Sequence, residues 1–347
     1  MFVSEGPMTT SSVRDDAAVA VGLARWLAVR RGHADVEVTG FRRPSAGYSS
    51  ETILCEARWT AGTARHAQGL VLRLAPAGSG TFPAYDLTAQ WQAQEAAAGA
   101  GVPVADPVLE PDPCWIGEPF ILMPRVDGHI VGPLAFRDPW MLGLPEPDRG
   151  ALFRNFVAAL AKVHRSEVPV GSSIPRRDNS AELDLWDEYL RWSSDGAPVG
   201  TLVDALGWCR GHQPATEPPA VLLWGDVRLE NVVIGDDLRP LAVLDWDMTS
   251  VGAPEHDLAW LTGLELTMEH LFGQRTPGFP DRAGTIALFE GHHRRPVSDL
   301  DWYETLAMVR SAAVMTRISY LRRDQGEPVM LPVDDNPILD LIRARIS

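Results

Sequence analysis

The fold is decided by the stretch Leu222–Asp247, which reads LLWGDVRLENVVIGDDLRPLAVLDWD. Apolar residues near both ends flank a polar loop and a short apolar segment, and residues 235–240 are dense in turn formers. This pattern predicts a β-hairpin in which Ile234 lies near Leu241.

Three oxygen-bearing side chains then converge at the open end of the hairpin. Following both strands back from the turn brings Asn231 beside Leu244 and Asp245. An amide oxygen and a carboxylate are hard ligands that suit a magnesium ion carrying phosphates. Asp226, five residues before Asn231 on the preceding loop, adds a third oxygen group.

The order and spacing of these residues resemble the aminoglycoside phosphotransferase family. The motif runs Gly225-Asp226, Asn231, Asp245-Trp246-Asp247, Gly252-Ala253-Pro254 and Asp257-Leu258-Ala259. The resemblance implies an α+β, bilobal protein-kinase-like fold with a β-rich N-lobe and a mainly helical C-lobe. It also implies that Asp226 is catalytic and orients a hydroxyl, that Asn231 and Asp245 hold the metal, and that Asp257 braces the catalytic loop.

Two positions depart from the family's pattern. Trp224 stands where the family usually has His, and Asp247 stands where it usually has Glu. Indole offers one donor and no acceptor, so Trp224 cannot fully replace a bracing histidine. The alternative, acidic loops that only solvate a surface hairpin, explains neither the spacing nor the order.

Composition limits the class of protein. A chain of 347 residues is long enough for two domains or one bilobal enzyme, and 45% apolar and 22% charged residues are typical of a soluble globular protein. The net charge of −15 argues against a nucleic-acid partner. The three cysteines are scattered without metal-binding spacing, which indicates reduced thiols.

The chain start and its first apolar run bear on location. The first residues lack a basic segment followed by an apolar core, so no signal peptide is expected. Ala17–Val29 is too short to span a bilayer and contains Arg25. We therefore expect a cytoplasmic protein with no membrane partner, and the sequence leaves the oligomeric state open.

A turn of small residues at 44–52 is a candidate phosphate-binding loop between strands predicted at Val36–Arg42 and Ile53–Trp59. In the fold that the resemblance implies, a loop here covers the ATP phosphates, although an ordinary hairpin turn has the same composition. The candidate ligands are Ser45, Gly47, Ser49, Ser50 and Thr52.

The next predicted strand, Gly69–Leu74, carries the candidate phosphate-binding cation. Arg73 lies where many family members have Lys, and its guanidinium can bind phosphate bidentately. A solvated edge-strand arginine is the alternative. Gln90, on a helix predicted at Tyr85–Ala100, lies nearest the family's Glu position. Because Gln cannot form an ion pair, we expect a hydrogen bond between Arg73 and Gln90 in its place.

An apolar strand that passes into a polar turn at Phe120–Gly128 resembles the family's hinge. Pro124 has no N–H, so its carbonyl and the N–H of Val126 are the expected adenine contacts. The predicted organisation is a flexible tail at 1–14, a nucleotide-binding N-lobe at 15–123, a hinge at 124–127, and a catalytic and acceptor-binding C-lobe at 128–347.

An acidic amphipathic helix predicted at Ala181–Ser193 is the candidate wall of the acceptor site. Its acids can recognise amines and its rings an apolar body, although the acids of such a helix can equally face water. Two histidines outside it are predicted to be non-catalytic: His164 is expected to be structural and His256 to face solvent.

These observations predict an ATP- and Mg²⁺-dependent kinase that acts on a hydroxyl of a small molecule. Rings clustered at 186–208 favour a bulky, partly apolar acceptor over a typical aminoglycoside. Two alternatives stay open: a non-catalytic nucleotide-binding protein, and a true aminoglycoside 3′-type resistance kinase. A metal hydrolase lacks a His-rich ligand set. The sequence does not identify the acceptor or decide between ATP and GTP.

Overall fold

The computed structural model describes residues 14–44, 49–194, 199–329, 332–333 and 335–347. By contacts the chain divides into two units, one formed from residues 1–80 and 108–125 and the other from 81–107 and 126–347. The sequence placed 81–107 in the N-lobe, whereas here it groups with the second unit. The reason is apolar packing, because Ala93, Ala97 and Val102 lie in the second unit's core. The lobe and hinge boundaries otherwise stay a prediction.

The first unit contains a five-stranded antiparallel sheet. Its strands are β1 (Glu37–Arg42), β2 (Glu51–Ala61), β3 (Ala64–Leu74), β4 (Val108–Glu110) and β5 (Phe120–Pro124). They lie in the order β1-β2-β3-β5-β4. Strands β2 and β3 pair along their whole length, because Gly62 takes a left-handed φ of 61° that closes a tight turn between them.

Helix α1 (Asp16–Arg31) contributes to the same apolar core as this sheet. The Asp15 carboxylate accepts hydrogen bonds from the first-turn N–H groups of Ala17 and Ala18, and Gly32 ends the helix with φ 70°. Its buried side chains are those of Val19, Leu23, Trp26 and Leu27.

The second unit is mainly helical. Its helices are α2 (Leu87–Gly99), α3 (Pro139–Gly143), α4 (Glu146–Val163), α5 (Asn179–Ser193), α6 (Gly200–Gly211), α7 (Glu255–Phe272), α8 (Arg282–His293), α9 (Leu300–Asp324) and α10 (Pro337–Ile346). They surround one large apolar core to which α4 contributes Leu152, Phe156 and Leu160 at helical spacing. Of the helices that the structure describes, none has the length and apolar content needed to cross a membrane.

Two short strand pairs complete the second unit. Strand β6 (Val221–Leu223) pairs with β9 (Ser250–Gly252), and β7 (Val232–Ile234) pairs with β8 (Pro240–Val243). The second pair is the predicted hairpin. An irregularity in its register pairs Ile234 with Pro240, one residue from the predicted neighbour Leu241.

Candidate active site

The loop after β6 is bent at Gly225. This residue has φ 93°, and a Cβ atom there would lie 2.3 Å from the carbonyl oxygen of Met248. A side chain is therefore excluded on both conformational and steric grounds. The buried Asp257 carboxylate, at the start of α7, accepts hydrogen bonds from Trp224 N (2.9 Å) and Gly225 N (3.0 Å). The predicted bracing role of Asp257 is confirmed.

Trp224 ties this loop to the end of the hairpin. Its ring is 1% exposed, and its Nε1 donates to the carbonyl oxygens of Leu244 (2.8 Å) and Asp245 (3.2 Å). The indole thus makes the donor contacts available to it. The departure from His at this position leaves the loop braced from two sides, by Trp224 and by Asp257.

Two histidines belong to the support of the loop. His164 Nε2 lies 3.0 Å from Asp257 Oδ2, and His164 Nδ1 lies 3.1 Å from His293 Nε2. These contacts agree with the structural role expected for His164. The prediction that His256 faces solvent is wrong, because it is 4% exposed and its Nε2 lies 3.0 Å from Asn179 Oδ1. Its position in the first turn of α7 points it into the core.

The half-buried Asp226 carboxylate is held at both oxygens. Asn231 Nδ2 donates to Oδ2 (2.8 Å) and to the Asp226 carbonyl oxygen (3.1 Å), while Trp260 Nε1 donates to Oδ1 (2.8 Å). Both donors are neutral groups, so these contacts orient the carboxylate without forming an ion pair. Each oxygen also keeps lone-pair capacity for a further hydrogen bond. This geometry suits a residue that orients an incoming hydroxyl.

The hairpin brings the two candidate metal ligands to neighbouring positions. Leu244 N donates to the Asn231 carbonyl oxygen (2.8 Å), which fixes Asn231 beside the Leu244-Asp245 step as predicted. Asp245 takes a left-handed φ of 57°, an uncommon conformation that is frequent at functional sites. Because Asn231 uses its Nδ2 on Asp226, its side-chain oxygen is the atom left for a cation.

The donor set therefore fits Mg²⁺, which usually takes one or two protein oxygens and completes its shell with phosphates and water. Among the described residues, no three His, Cys, Asp or Glu side chains cluster as a protein-only metal cage. Asn231 and Asp245 are accordingly the residues that would hold the ion. Their assignment as ligands stays a prediction.

The candidate phosphate ligands belong to the first unit. Ser45 and Gly47 lie outside the described residues. Ser50 is 9% exposed, and Thr52 on β2 lies directly across from Arg73 on β3. The remaining candidate, Ser49, is half-buried one position before Ser50. The sheet thus brings a hydroxyl and a guanidinium together, a pairing of groups that can bind phosphate.

The remaining nucleotide predictions fall on two other segments. Gln90 is 3% exposed in α2 of the second unit, where Gln94 Nε2 donates to its carbonyl oxygen (3.3 Å). Its hydrogen bond to Arg73 stays a prediction. Pro124 ends β5 opposite Leu70, and Val126 follows two residues later. Their contacts with adenine also stay predictions.

Helix α5 shows how its acids are used. Glu182 is 5% exposed; its Oε2 lies 2.6 Å from Arg177 Nε and its Oε1 accepts from Trp186 Nε1 (2.9 Å). Burial raises the pKa of Glu182, but Arg310 and Arg177 outweigh burial and hold the pKa below its usual range. On the outer face, Arg210 pairs with Asp184 (2.8 Å). These two acids are therefore committed to arginines.

Sequence reasoning missed two residues of the site, Trp260 and Arg310. Trp260 lies three positions after Asp257, so helical spacing could have placed both on the side of α7 that faces the loop. Arg310 on α9 stacks over the rings of Trp260 and Trp186, with 5.0 Å from its guanidinium carbon to each centroid. Nothing in the local sequence near residue 310 signals this contact.

A family comparison decides the classification. The model of the Phosphotransferase enzyme family matches residues 40–296, a span that includes the β2–β3 hairpin and the whole loop around Asp226. The chain belongs to this family.

Curated relatives of this phosphotransferase-family chain are longer proteins. Acyl-CoA dehydrogenase family member 11 of Pongo abelii is 25% identical over 239 residues, which cover 64% of this chain and 29% of the relative. Probable acyl-CoA dehydrogenase IBR3 of Arabidopsis thaliana is 26% identical over 298 residues, which cover 78% of this chain and 35% of the relative. The matches thus span about a third of each relative.

Solved structures show the fold of this family member. A Ralstonia eutropha JMP134 protein, provisionally described as an aminoglycoside phosphotransferase, superposes with a TM-score of 0.66 at 21% identity, covering 94% of both chains. A thermostable mutant of aminoglycoside phosphotransferase APH(4)-Ia, in a ternary complex with AMP-PNP and hygromycin B, gives 0.54 at 13% identity and covers 94% of this chain and 98% of its own. The predicted protein-kinase-like α+β fold is confirmed.

Proposed function

We propose that the protein transfers the γ-phosphoryl group of ATP to a hydroxyl group of a small molecule. The observation that carries the proposal is the Asp226 carboxylate, held at both oxygens by Asn231 and Trp260 and followed by the Asn231–Asp245 pair of oxygen ligands. Such an arrangement matches the Asp and Asn roles of a kinase catalytic loop. Membership of the Phosphotransferase enzyme family supports it.

The chemistry required of Asp226 is positioning and proton acceptance. Its carboxylate would accept a hydrogen bond from the acceptor hydroxyl and turn the oxygen lone pair towards the γ-phosphorus. A bond then forms between that oxygen and the γ-phosphorus while the bond to the β-phosphate oxygen breaks. The hydroxyl proton passes to Asp226 and on to solvent, and ADP leaves with the electron pair of the broken bond.

A guanidinium, hydroxyl groups and a metal ion would neutralise the charge on the phosphates. In the first unit we assign Arg73, with the hydroxyls of Thr52 and Ser50, to the nucleotide phosphates. When bound, Mg²⁺ would neutralise phosphate charge as the reaction proceeds. Asn231 and Asp245 would hold that ion. A solved relative binds AMP-PNP, which supports ATP as the donor.

The acceptor would be bulky and partly apolar. Phe82, Tyr85 and Trp192 are partly exposed rings of the second unit, and Phe82 lies 5.9 Å from the buried ring of Tyr189. Burial raises the pKa of Tyr85 to about 12, and Asp247, two residues after the candidate metal ligand Asp245, adds to the rise. Rings of this kind bind an apolar body by area burial.

Typical aminoglycosides would be poor substrates. A polycationic sugar needs several free carboxylates, but Glu182 is buried against two arginines. Asp184 and Asp187 on the same helix pair with Arg210. The amines of an aminoglycoside would have to displace these ion pairs.

The test is an acceptor screen that follows ADP release from Mg²⁺-ATP. Hydroxyl-bearing metabolites and antibiotics, kanamycin included, would be compared with a sample that lacks acceptor. We expect at least one bulky, partly apolar alcohol to stimulate ADP release, and Asp226→Asn to abolish that stimulation. Efficient phosphorylation of kanamycin would overturn the acceptor assignment, and stimulation that survives Asp226→Asn would overturn the role of Asp226.

A further inference from the structure

The Asp226 side chain is held by a tryptophan that belongs to another element. Trp260 lies in α7, is 4% exposed, and its Nε1 donates to Asp226 Oδ1 at 2.8 Å. The same helix carries Asp257, which holds the loop backbone at Trp224 and Gly225. One helix therefore fixes the loop at two points, its main chain and its carboxylate.

The ring of Trp260 is fixed in turn by a buried cation. Arg310 is 4% exposed, and its guanidinium lies over the rings of Trp260 and Trp186, 5.0 Å from each centroid. Its Nη1 lies 3.6 Å from Glu182 Oε1, and its Nε has no hydrogen-bond partner among the described residues. Stacking between two indoles is thus a principal contact of this guanidinium.

The stacking affects the indole as a donor. A cation on the face of an aromatic ring attracts its π electrons, which makes the ring N–H more positive and its hydrogen bond to a carboxylate stronger. The cost of burying the arginine is partly offset by Glu182. Burial lowers the pKa of Arg310 and Glu182 opposes that change, so the pair holds the charge in place.

A helix well outside the matched catalytic motif is therefore coupled to the base. Arg310 lies on α9, beyond the end of the family match at residue 296. Its contact with the base runs through the Trp260 ring, which stacks on Arg310 and donates to Asp226. The direct electrostatic effect of Asp226 on Arg310 is the smallest of the named influences on its pKa.

We propose that Trp260 is a positioning residue for phosphoryl transfer, aiming the Asp226 carboxylate through its indole N–H, with Arg310 holding the ring in place. The proposal rests on the kinase function proposed above. Asn231 fixes one carboxylate oxygen and Trp260 the other, so rotation about the last side-chain bond of Asp226 is stopped. A carboxylate that can rotate loses the near-attack orientation of the hydroxyl.

The chain supplies a matched pair of variants. Trp260→Phe removes the N–H bound to Asp226 and keeps a ring beneath Arg310. Trp26→Phe, in α1, removes an indole N–H that donates to Glu110 Oε2 (2.6 Å) away from the proposed site. Both changes leave a half-buried carboxylate short of one indole donor, so a merely structural role predicts similar effects on melting temperature and on turnover.

The readout is the split between kcat and KM. ADP release from Mg²⁺-ATP is measured with water as acceptor and with the best alcohol from the screen. We expect Trp260→Phe to lower kcat at least about tenfold with KM for ATP nearly unchanged, since a small misplacement of a catalytic group can cost that much. Trp26→Phe should keep kcat within about twofold. Equal kcat losses in the two variants would overturn the positioning role.

A second measurement is independent of turnover. In ¹⁵N-tryptophan-labelled protein, the Trp260 indole resonance is assigned by its loss in Trp260→Phe. We expect Asp226→Asn to move this resonance and leave that of Trp26 in place, because the Trp260 indole donates to Asp226 and the Trp26 indole donates to Glu110. A Trp260 resonance that does not shift in Asp226→Asn would refute the hydrogen bond between Trp260 and Asp226. If the wild type releases no ADP with any acceptor, the proposed kinase function is wrong. If the wild type is active and the two Trp→Phe variants lose kcat equally, only the positioning role is wrong.

Discussion

Two carboxylates in the second unit have opposite kinds of partner. Asp226 accepts from two neutral donors, Asn231 Nδ2 and Trp260 Nε1, and is half-buried. Glu182 is 5% exposed and faces two guanidinium groups, those of Arg177 and Arg310. Neutral donors orient one carboxylate, and arginines pair with the other within the core.

The difference separates reactivity from stability. A charge that neutral donors orient stays available to a cation or a hydroxyl, whereas a charge inside a closed ion pair serves the fold alone. Arg310 lies between the two, pairing with Glu182 and stacking on the indole that holds Asp226. Changes at the two carboxylates and at the residues near them should therefore have different consequences, and five variants test this.

The largest effect is expected at Asp226. Asp226→Asn keeps the shape of the side chain but removes the proton acceptor, so kcat for phosphoryl transfer should fall by about 10²–10⁴. Its melting temperature should stay near that of the wild type, because the lost charge has no buried cationic partner of its own. Steady-state kinetics measures the loss of kcat, and thermal unfolding of the same samples measures the melting temperature. If Asp226→Asn lowered the melting temperature as well as kcat, the contrast with Glu182 would be lost.

Glu182→Ala should act on stability. It leaves Arg310 and Arg177 without their buried partner, and breaking such a pair costs about 3–5 kcal/mol. Urea unfolding measures the loss. The exposed Glu188 on the same helix provides the control, because Glu188→Ala should change the free energy of unfolding by less than about 0.5 kcal/mol. Similar values for the two variants would mean that the ion pair contributes little.

The groups Glu182, Arg177, Arg310 and His256 form a closed cluster that should also make the fold sensitive to acid. Burial lowers the pKa of His256 from 6.5 to about 4, against the raising effect of Glu182. The unfolded chain therefore binds a proton between these pH values when the folded chain does not, and stability falls as the pH drops through that window. The shift corresponds to an upper limit of about 3 kcal/mol.

His256→Gln keeps a donor for Asn179 and removes the titration, so its unfolding free energy should depend less on pH between about 6.5 and 4. Two other groups titrate in this range. Burial lowers the pKa of His293 to about 3, which acts in the same sense. Burial raises the pKa of Glu265 to about 7, which acts in the opposite sense. The slope of the variant is therefore compared with that of the wild type, and equal slopes would exclude His256 as the source.

The metal ligands should show the smallest of the four effects, and a graded one. Asp245→Ala removes an anionic ligand, so the Mg²⁺ concentration at half-maximal turnover should rise about 100-fold. Asn231→Ala should raise it only about tenfold, because water can replace a neutral ligand. Magnesium titrations at fixed ATP measure both. A wild-type response in Asp245→Ala would remove Asp245 from the metal site.

The arrangement around Asp226 could be predicted because its parts lie close in sequence. Asn231 and Leu244 meet through a single hairpin, whose turn chemistry sets the approximate register. The one-residue offset at Leu241 could not be predicted, since an irregular pairing leaves no pattern in the sequence. The bracing role of Asp257 was predicted from the family motif, and in the structure its carboxylate accepts two backbone hydrogen bonds from the loop.

The closed cluster could not be predicted in the same way. Glu182 and Arg310 are far apart in sequence and meet only when α5 packs against α9. An acidic residue on an amphipathic helix is predicted to face solvent as long as its arginine partner, distant in sequence, is not known. His256 was misassigned for the same reason, since the amphipathic pattern of α7 is weakened by burial of nearly its whole first half.

The central claim is that this chain makes a phosphate monoester and does not merely bind nucleotide. The most direct measurement is ³¹P NMR of the wild type with Mg²⁺-ATP and the acceptor found in the screen. We expect the γ-phosphate signal to be replaced by a phosphate monoester signal as ADP accumulates, and Asp226→Asn to leave ATP intact. If Mg²⁺-ATP raised the melting temperature while its ³¹P spectrum stayed unchanged with every acceptor, the protein would be a nucleotide-binding protein without catalysis.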